Sequence, residues 1–126
     1  MSRKMNDPQP LLFDAKTLEG HVGGDAELVR ELVSVFVEDS PGRLRELEEA
    51  VAAMDASEAN RKAHALKGMY GIIRVNGMAD LALQMEREAG EGKMDLAAGM
   101  MPGLRKQHER LLEEMRAFLR ATPIRL

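Results

Sequence analysis

The chain has 126 residues with no cysteine and no tryptophan, 44% apolar but only 3% aromatic residues, and 18 basic against 21 acidic side chains for a net charge of -3. That length makes one domain with a real core, and the missing thiols exclude disulfides, thiolate metal sites and cysteine nucleophiles. The slight negative charge disfavours nucleic acid or an anionic membrane as the main partner, and no apolar run approaches the roughly 20 residues of a membrane span. The basic start, Met1 to Lys4, is not followed by the apolar stretch of a signal peptide. A cytoplasmic, all-α domain with an aliphatic core of Leu, Val, Ala and Met is expected.

Residues 1–10, polar and holding Pro8 and Pro10, read as a disordered tail, residues 123–126 as a C-terminal tail, and residues 11–122 as the folded unit. Phe13 to Gly20 reads as a helical turn or two, capped by Asp14 and closing one end of the core, before the loop His21-Val22-Gly23-Gly24. Asp25 then caps a helix in which Leu28 or Val29, Leu32, Val35 and Phe36 recur at helical spacing to about Asp39. Ser40-Pro41 is expected to stop it and start another, since Ser caps and Pro suits a first helical position. Leu44, Leu47, Val51 and Met54 would form the stripe of that next helix, with a solvated run of charges outside. Asp55 to Ser57 offers the following cap, for a helix from Glu58 to about Arg74 broken by Val75-Asn76-Gly77. Met78, Leu81, Met85 and Ala89 mark a further helix closed by Gly90 and Gly92. Asp95 caps the last one, with the stripe Met101, Leu104, His108, Leu111, Met115 and Phe118, and Pro102 either kinks it or marks its first turn. Four long amphipathic helices joined by short loops favour an antiparallel up-and-down four-helix bundle, with the short N-terminal helical segment as a lid.

The stretch from Asn60 to Arg74 carries the chemistry. At about 100° per residue, Leu66, Met69, Tyr70 and Ile73 gather on a core face, and His64 points the other way. Asn60, Arg61, Lys67, Gly68 and Gly71 surround it. Each glycine costs a helix interior about 1 kcal/mol relative to Ala, so stability alone does not account for the pair. Clearance for something bulky next to the imidazole does, such as a phosphoryl group held in a partner's active site; a kink or close packing is the competing explanation. Lys67, one turn from His64, can reach a phosphoryl oxygen as a point charge.

The run His64-Ala65-Leu66-Lys67-Gly68 resembles the signature of the histidine-containing phosphotransfer (HPt) domains of multistep two-component phosphorelays: a histidine, then an aliphatic residue, lysine and glycine at the second, third and fourth positions after it. Phe13-Asp14 with Leu18, Gly23-Gly24-Asp25, and Leu28 with Leu32 and Phe36 resemble that family's opening segments. Leu81 and Glu86 match its leucine and late acidic residue, so the resemblance spans roughly residues 11 to 120. It implies that His64 accepts a phosphoryl group from a receiver-domain aspartate or a histidine kinase and passes it to another receiver aspartate. By the same resemblance Lys67 would steady the phosphate and Gly68 would leave room; the residues themselves add Gly71 to that clearance and make Asn60, Arg61 and Arg74 the expected docking residues. Two positions depart from the pattern: Met69 replaces a small or hydroxyl residue, and Arg74 replaces a frequent second glycine and adds charge to the docking face. The implied protein is a monomeric, stoichiometric phosphocarrier and not an enzyme. Its partner, the receiver domain of a response regulator or hybrid histidine kinase, would supply Mg²⁺ and an acidic pocket.

Other readings fare worse. A metal-binding bundle wants inward Glu-x-x-His pairs, whereas Leu18, Arg61 and Arg105 stand three residues before His21, His64 and His108. His108 reads as a core histidine, and His21 has no evident partner. No Ser-His-Asp arrangement or phosphate-binding glycine loop is legible. The methionines read as core filler, with a partner groove of Met69, Met78 and Met100 as a minor alternative. A helical adaptor that binds receiver domains without being phosphorylated would lack an exposed His64.

Overall fold

In the computed structural model, which describes residues 11–122, five helices follow one another and no strand occurs among the described residues. They are α1 Ala15–His21, α2 Ala26–Ala52, α3 Ala56–Ile72, α4 Asn76–Gly90 and α5 Met94–Ala121. The tails assigned to residues 1–10 and 123–126 lie outside the described residues. Three of the expected caps form: the side chains of Asp14, Asp25 and Asp55 accept the otherwise unpaired N–H groups of Lys16 and Thr17, of Leu28 and of Glu58.

The expected break at Ser40-Pro41 does not occur, because α2 runs through it without interruption. Pro41 removes one ladder N–H and crowds the carbonyl a turn earlier, at a cost of about 3 kcal/mol in a helix interior. Tertiary packing offsets this. Val29, Val33, Phe36, Ser40, Leu44, Leu47 and Val51 are all buried, and their steps of three or four residues carry one stripe across the Ser-Pro pair. Ser40 is therefore an inward residue of α2 and not a cap. Val35 and Met54, both expected on this stripe, are exposed instead.

In α4, Ala82 joins Met78, Met85 and Ala89 on the buried face while Leu81 packs partly buried at its edge, and in α5 the N-cap is Lys93, with Asp95 inside the first turn. Pro102 lies in the interior of α5, so it does not mark the helix start. The remaining α5 stripe is as expected, from Met101 through Leu104, His108 and Leu111 to Met115.

Three linkers have a common construction. After α2, α3 and α4, the residues Met54, Arg74 and Gly92 take left-handed φ values of 55°, 62° and 76° and donate to Val51, Gly71 and Ala89. The next residues, Asp55, Val75 and Lys93, donate to Ala50, Tyr70 and Glu88 at 3.0, 3.0 and 2.8 Å. This pair of bonds closes a helix C-terminus, and the same Asp55, Val75 and Lys93 are the N-caps of α3, α4 and α5. Arg74 occupies a backbone conformation that glycine adopts without strain, which is the physical content of its departure from the family pattern.

α3 packs on both α2 and α4, α5 packs on both α2 and α4, and α1 rests on α2. Phe13 and Leu18 are buried, and Phe13 meets Phe118 edge-on at 5.5 Å. Arg30 of α2 donates to the Leu119 and Thr122 carbonyls at the end of α5, while Glu114 of α5 accepts from the Leu12 and Phe13 N–H groups at 2.7 and 2.9 Å. The core is apolar except for one polar chain. His108 is fully buried and shares hydrogen bonds through Nδ1 with the Tyr70 hydroxyl (2.7 Å) and through Nε2 with the Ser40 hydroxyl (3.0 Å). One ring nitrogen donates and the other accepts in neutral imidazole, and a hydroxyl can take either role, so only the neutral ring satisfies this site without burying charge. Burial pushes the imidazole down to about 4, aided by the Arg105 charge, and pushes the Tyr70 hydroxyl up.

Candidate functional site

His64 stands in the middle of α3, opposite the buried Ala59, Ala63, Leu66 and Tyr70, and its side chain is 67% exposed. Met69, expected in the core, is only partly buried. The imidazole is held from the next helix: Glu86 of α4 places Oε1 2.7 Å from His64 Nδ1 and 3.2 Å from Lys67 Nζ. Partial burial acts to raise the Glu86 carboxyl, but hydrogen bonds from His64 and Lys67, together with their charges, outweigh it and hold the group below the usual carboxylate range. An ionised carboxylate only accepts, so Nδ1 carries the proton and donates it to Glu86. In the neutral form of the ring the lone pair is then on Nε2, the nitrogen not bonded to Glu86.

Asn60, expected as a docking residue, is used internally. Its amide donates to the Glu86 carbonyl at 2.7 Å and packs where a side chain at Gly90 would stand, 3.0 Å from that missing Cβ. Asn60 thereby ties α3 to the stretch of α4 that presents the carboxylate. Arg61 is exposed and pairs with Glu58 at 2.6 Å. An open depression on the other side of His64 is lined by Arg43, Asn60, Arg61, Lys62, His64 and Ala65.

At Gly68 and Gly71 an added Cβ would meet no heavy atom within 4 Å. Neither glycine is needed for packing inside the protein, and α3 continues through both. The space above them is open on the side of α3 that carries His64. Arg74 is exposed beyond the end of α3, whose last residue, Ile72, is about 12 Å along the axis from His64 at 1.5 Å per residue.

The other candidates stay apart from this place. His21 ends α1, and His108 belongs to the buried chain with Ser40 and Tyr70. Met78 is fully buried, so the groove of Met69, Met78 and Met100 does not exist as an open surface. Among the described residues no three His, Asp or Glu side chains converge as a metal site, and no helix is long and apolar enough to cross a membrane.

The family model described as Hpt domain matches residues 31–118, more than half of the chain. The chain belongs to the Hpt domain family. Its fold agrees: the crystal structure of histidine-containing phosphotransfer protein B (HptB) from Pseudomonas aeruginosa PAO1 superposes with a TM-score of 0.79 at 22% identity, covering 88% of this chain and 96% of that one. No curated protein matches the sequence. This Hpt domain is thus a histidine phosphotransfer protein of the phosphorelay type, helical among the described residues and with an exposed histidine in the middle of α3. Glu86 is the site residue whose role sequence reasoning missed. It stood out only as a family match, since a carboxylate 22 residues from His64 reaches it through the packing of α4 on α3 and through no local spacing.

Proposed function

We propose that this Hpt domain carries a phosphoryl group on Nε2 of His64 and relays it between receiver-domain aspartates, or from a hybrid histidine kinase to a response regulator. The observation that carries the reading is the pairing of an exposed imidazole, proton fixed on Nδ1 by Glu86, with open space at Gly68 and Gly71. In the forward step the Nε2 lone pair attacks the phosphorus of an aspartyl phosphate. The N–P bond forms as the P–O bond breaks, and the aspartate leaves as its carboxylate. The Nδ1 proton stays in place, so the phosphorylated ring is cationic and its charge faces the Glu86 carboxylate. Transfer to the next receiver reverses these bond changes. Lys67, now shared with Glu86, swings its ammonium to a phosphoryl oxygen and neutralises charge there.

Phosphoryl transfer depends on positioning and charge neutralisation more than on covalent machinery. The receiver brings Mg²⁺, and the Hpt domain is a stoichiometric carrier in the cytoplasm. In this reading residues 11–122 form a monomeric antiparallel up-and-down four-helix bundle, with α1 as a lid over the Phe13 and Leu18 end. Arg61 and Arg74 contribute positive charge to docking. The test is acid-labile labelling from a receiver domain charged with acetyl phosphate. The parent should take up label, and His64→Gln should take up none while keeping its helical circular dichroism. Full labelling of His64→Gln would overturn the assignment, and binding of receiver domains without labelling of the parent would make the protein an adaptor.

A further inference from the structure

Three residues on one edge of α3 converge on a single residue of α4. Asn60, His64 and Lys67 stand at steps of four and three, so they line up along the helix. Each reaches Glu86: the Asn60 amide donates to its carbonyl at 2.7 Å, while His64 Nδ1 and Lys67 Nζ meet its Oε1 at 2.7 and 3.2 Å. The main chain of Glu86 is therefore held from one turn ahead of the histidine, and its carboxylate from the histidine and one turn beyond.

Little else fixes α4 along its own axis near Glu86. Its buried face consists of Met78, Ala82, Met85 and Ala89. Methionine adapts to its surroundings and alanine offers only a methyl group, so such a face specifies axial position weakly. The α3–α4 linker holds the far end, where the Val75 N–H donates to the Tyr70 carbonyl, but Glu86 stands about 15 Å along α4 from Asn76. Gly90 completes the arrangement. It is the one glycine of the chain at which an added Cβ would meet any heavy atom within 4 Å, and the nearest is the Asn60 amide nitrogen at 3.0 Å. Its φ is not left-handed, so the backbone does not call for glycine there. Room for the Asn60 amide does.

We propose that Asn60 is a positioning residue for phosphotransfer: seated over Gly90 and bonded to the Glu86 main chain, it sets the Glu86 carboxylate on His64 Nδ1 and so reserves Nε2 for the phosphoryl group. The proposal rests on the phosphotransfer reading and adds the residue that aligns the proton-holding carboxylate. Asn60 acts through Glu86 and takes no part in the bond changes.

The test reads the ring itself and then the chemistry, on the full chain. At about pH 9, where imidazole is neutral, proton–nitrogen correlation spectra of the side chain show which ring nitrogen carries the proton. The parent should show it on Nδ1 of His64, and Asn60→Ala should show it shared between Nδ1 and Nε2. Labelling of Asn60→Ala from phosphoramidate, a small phosphodonor, and from a receiver domain charged with acetyl phosphate should slow by at least about fivefold, the equivalent of one neutral hydrogen bond, at an unchanged half-saturating receiver concentration. Adding Gly90→Ala to Asn60→Ala puts a methyl group into the vacated space and a better helix former into α4, so the double variant should regain stability in urea. It should nevertheless keep the shared proton and the slow labelling. Asp55→Ala, which removes the α3 cap, should lose stability but keep the parental spectrum and rates. A parental spectrum or a parental rate in Asn60→Ala would overturn the proposal. So would recovery of rate together with stability in the double variant, which would make Asn60 a packing residue only, or the same spectral change in Asp55→Ala, which would make it a symptom of general loosening. Labelling of His64→Gln, or a parent that takes label from neither donor, refutes the phosphotransfer reading instead, and the ring spectra, which need no phosphodonor, still judge the alignment by Asn60.

Discussion

The buried imidazole of His108 should make this fold sensitive to mild acid, by an amount that the structure bounds. Its folded value lies near 4, against an ordinary value of 6.5. Between these values the unfolded chain holds a proton that the folded chain refuses, so stability is fully present above about pH 6.5 and drains away as the pH falls towards 4. At about 1.4 kcal/mol per pH unit, some 3 kcal/mol is at stake in all, of which roughly 2 kcal/mol is lost between pH 7 and pH 5. That is a large share of the 5 to 15 kcal/mol by which domains are usually stable. The perturbation is His108→Gln, whose amide can still exchange hydrogen bonds with Tyr70 and Ser40 but does not titrate. Urea unfolding of parent and variant, followed by circular dichroism at pH 7 and at pH 5, gives four stabilities. Contributions from His21, His64 and the carboxylates cancel in the comparison. The variant starts lower at pH 7, because Gln packs less well against Phe36, but the parent should lose about 2 kcal/mol more on acidification. Equal losses would mean that His108 does not carry this proton linkage and would refute the neutral hydrogen-bonded chain.

Gly68→Ala should hold or raise the unfolding free energy by up to about 1 kcal/mol in urea titrations, because its Cβ meets nothing and Ala is the better helix former, while Gly68→Gln should fold normally and slow transfer sharply. Lys67→Ala should reduce transfer or shorten the phosphohistidine lifetime by roughly tenfold to a hundredfold, the equivalent of one hydrogen bond between charged groups, and Lys67→Arg should keep part of the effect. Rates within twofold of the parent would remove Lys67 from the site. Arg74→Gly should stabilise the protein by about 1 kcal/mol by relieving the left-handed backbone at φ 62°, and an unchanged thermal midpoint would show that the strain is compensated elsewhere.

Much of this was legible from local chemistry. The caps at Asp14, Asp25 and Asp55, the α5 stripe and the outward aspect of His64 all follow from residue type and a period of 3.6. The reading at Ser40-Pro41 failed because two residues with strong local preferences outweighed a weaker signal that extends further, the uninterrupted phase from Val29 to Val51. Judged by phase, Ser40 belongs inside, and a buried serine asks for a partner; the histidine in the α5 stripe is that partner. Met54 was misplaced because the stripe was extended past the true helix end, and Val35 because its neighbour Phe36, in phase with Val29 and Val33, already occupies the buried face. Glu86, and the internal use of Asn60, depend on how α4 lies against α3, and no spacing along the chain encodes that contact.

The doubled caps have a consequence for chain length. Asp55, Val75 and Lys93 each finish one helix and begin the next, so the three linkers contain no residue that merely spans a gap. Loops are ordinarily where a protein absorbs insertions and deletions, but one residue more or fewer here must undo either the closing bonds of one helix or the opening of its successor. Divergence in this domain should therefore proceed by exchange of side chains at constant spacing between helices, with added segments attached outside the helical array.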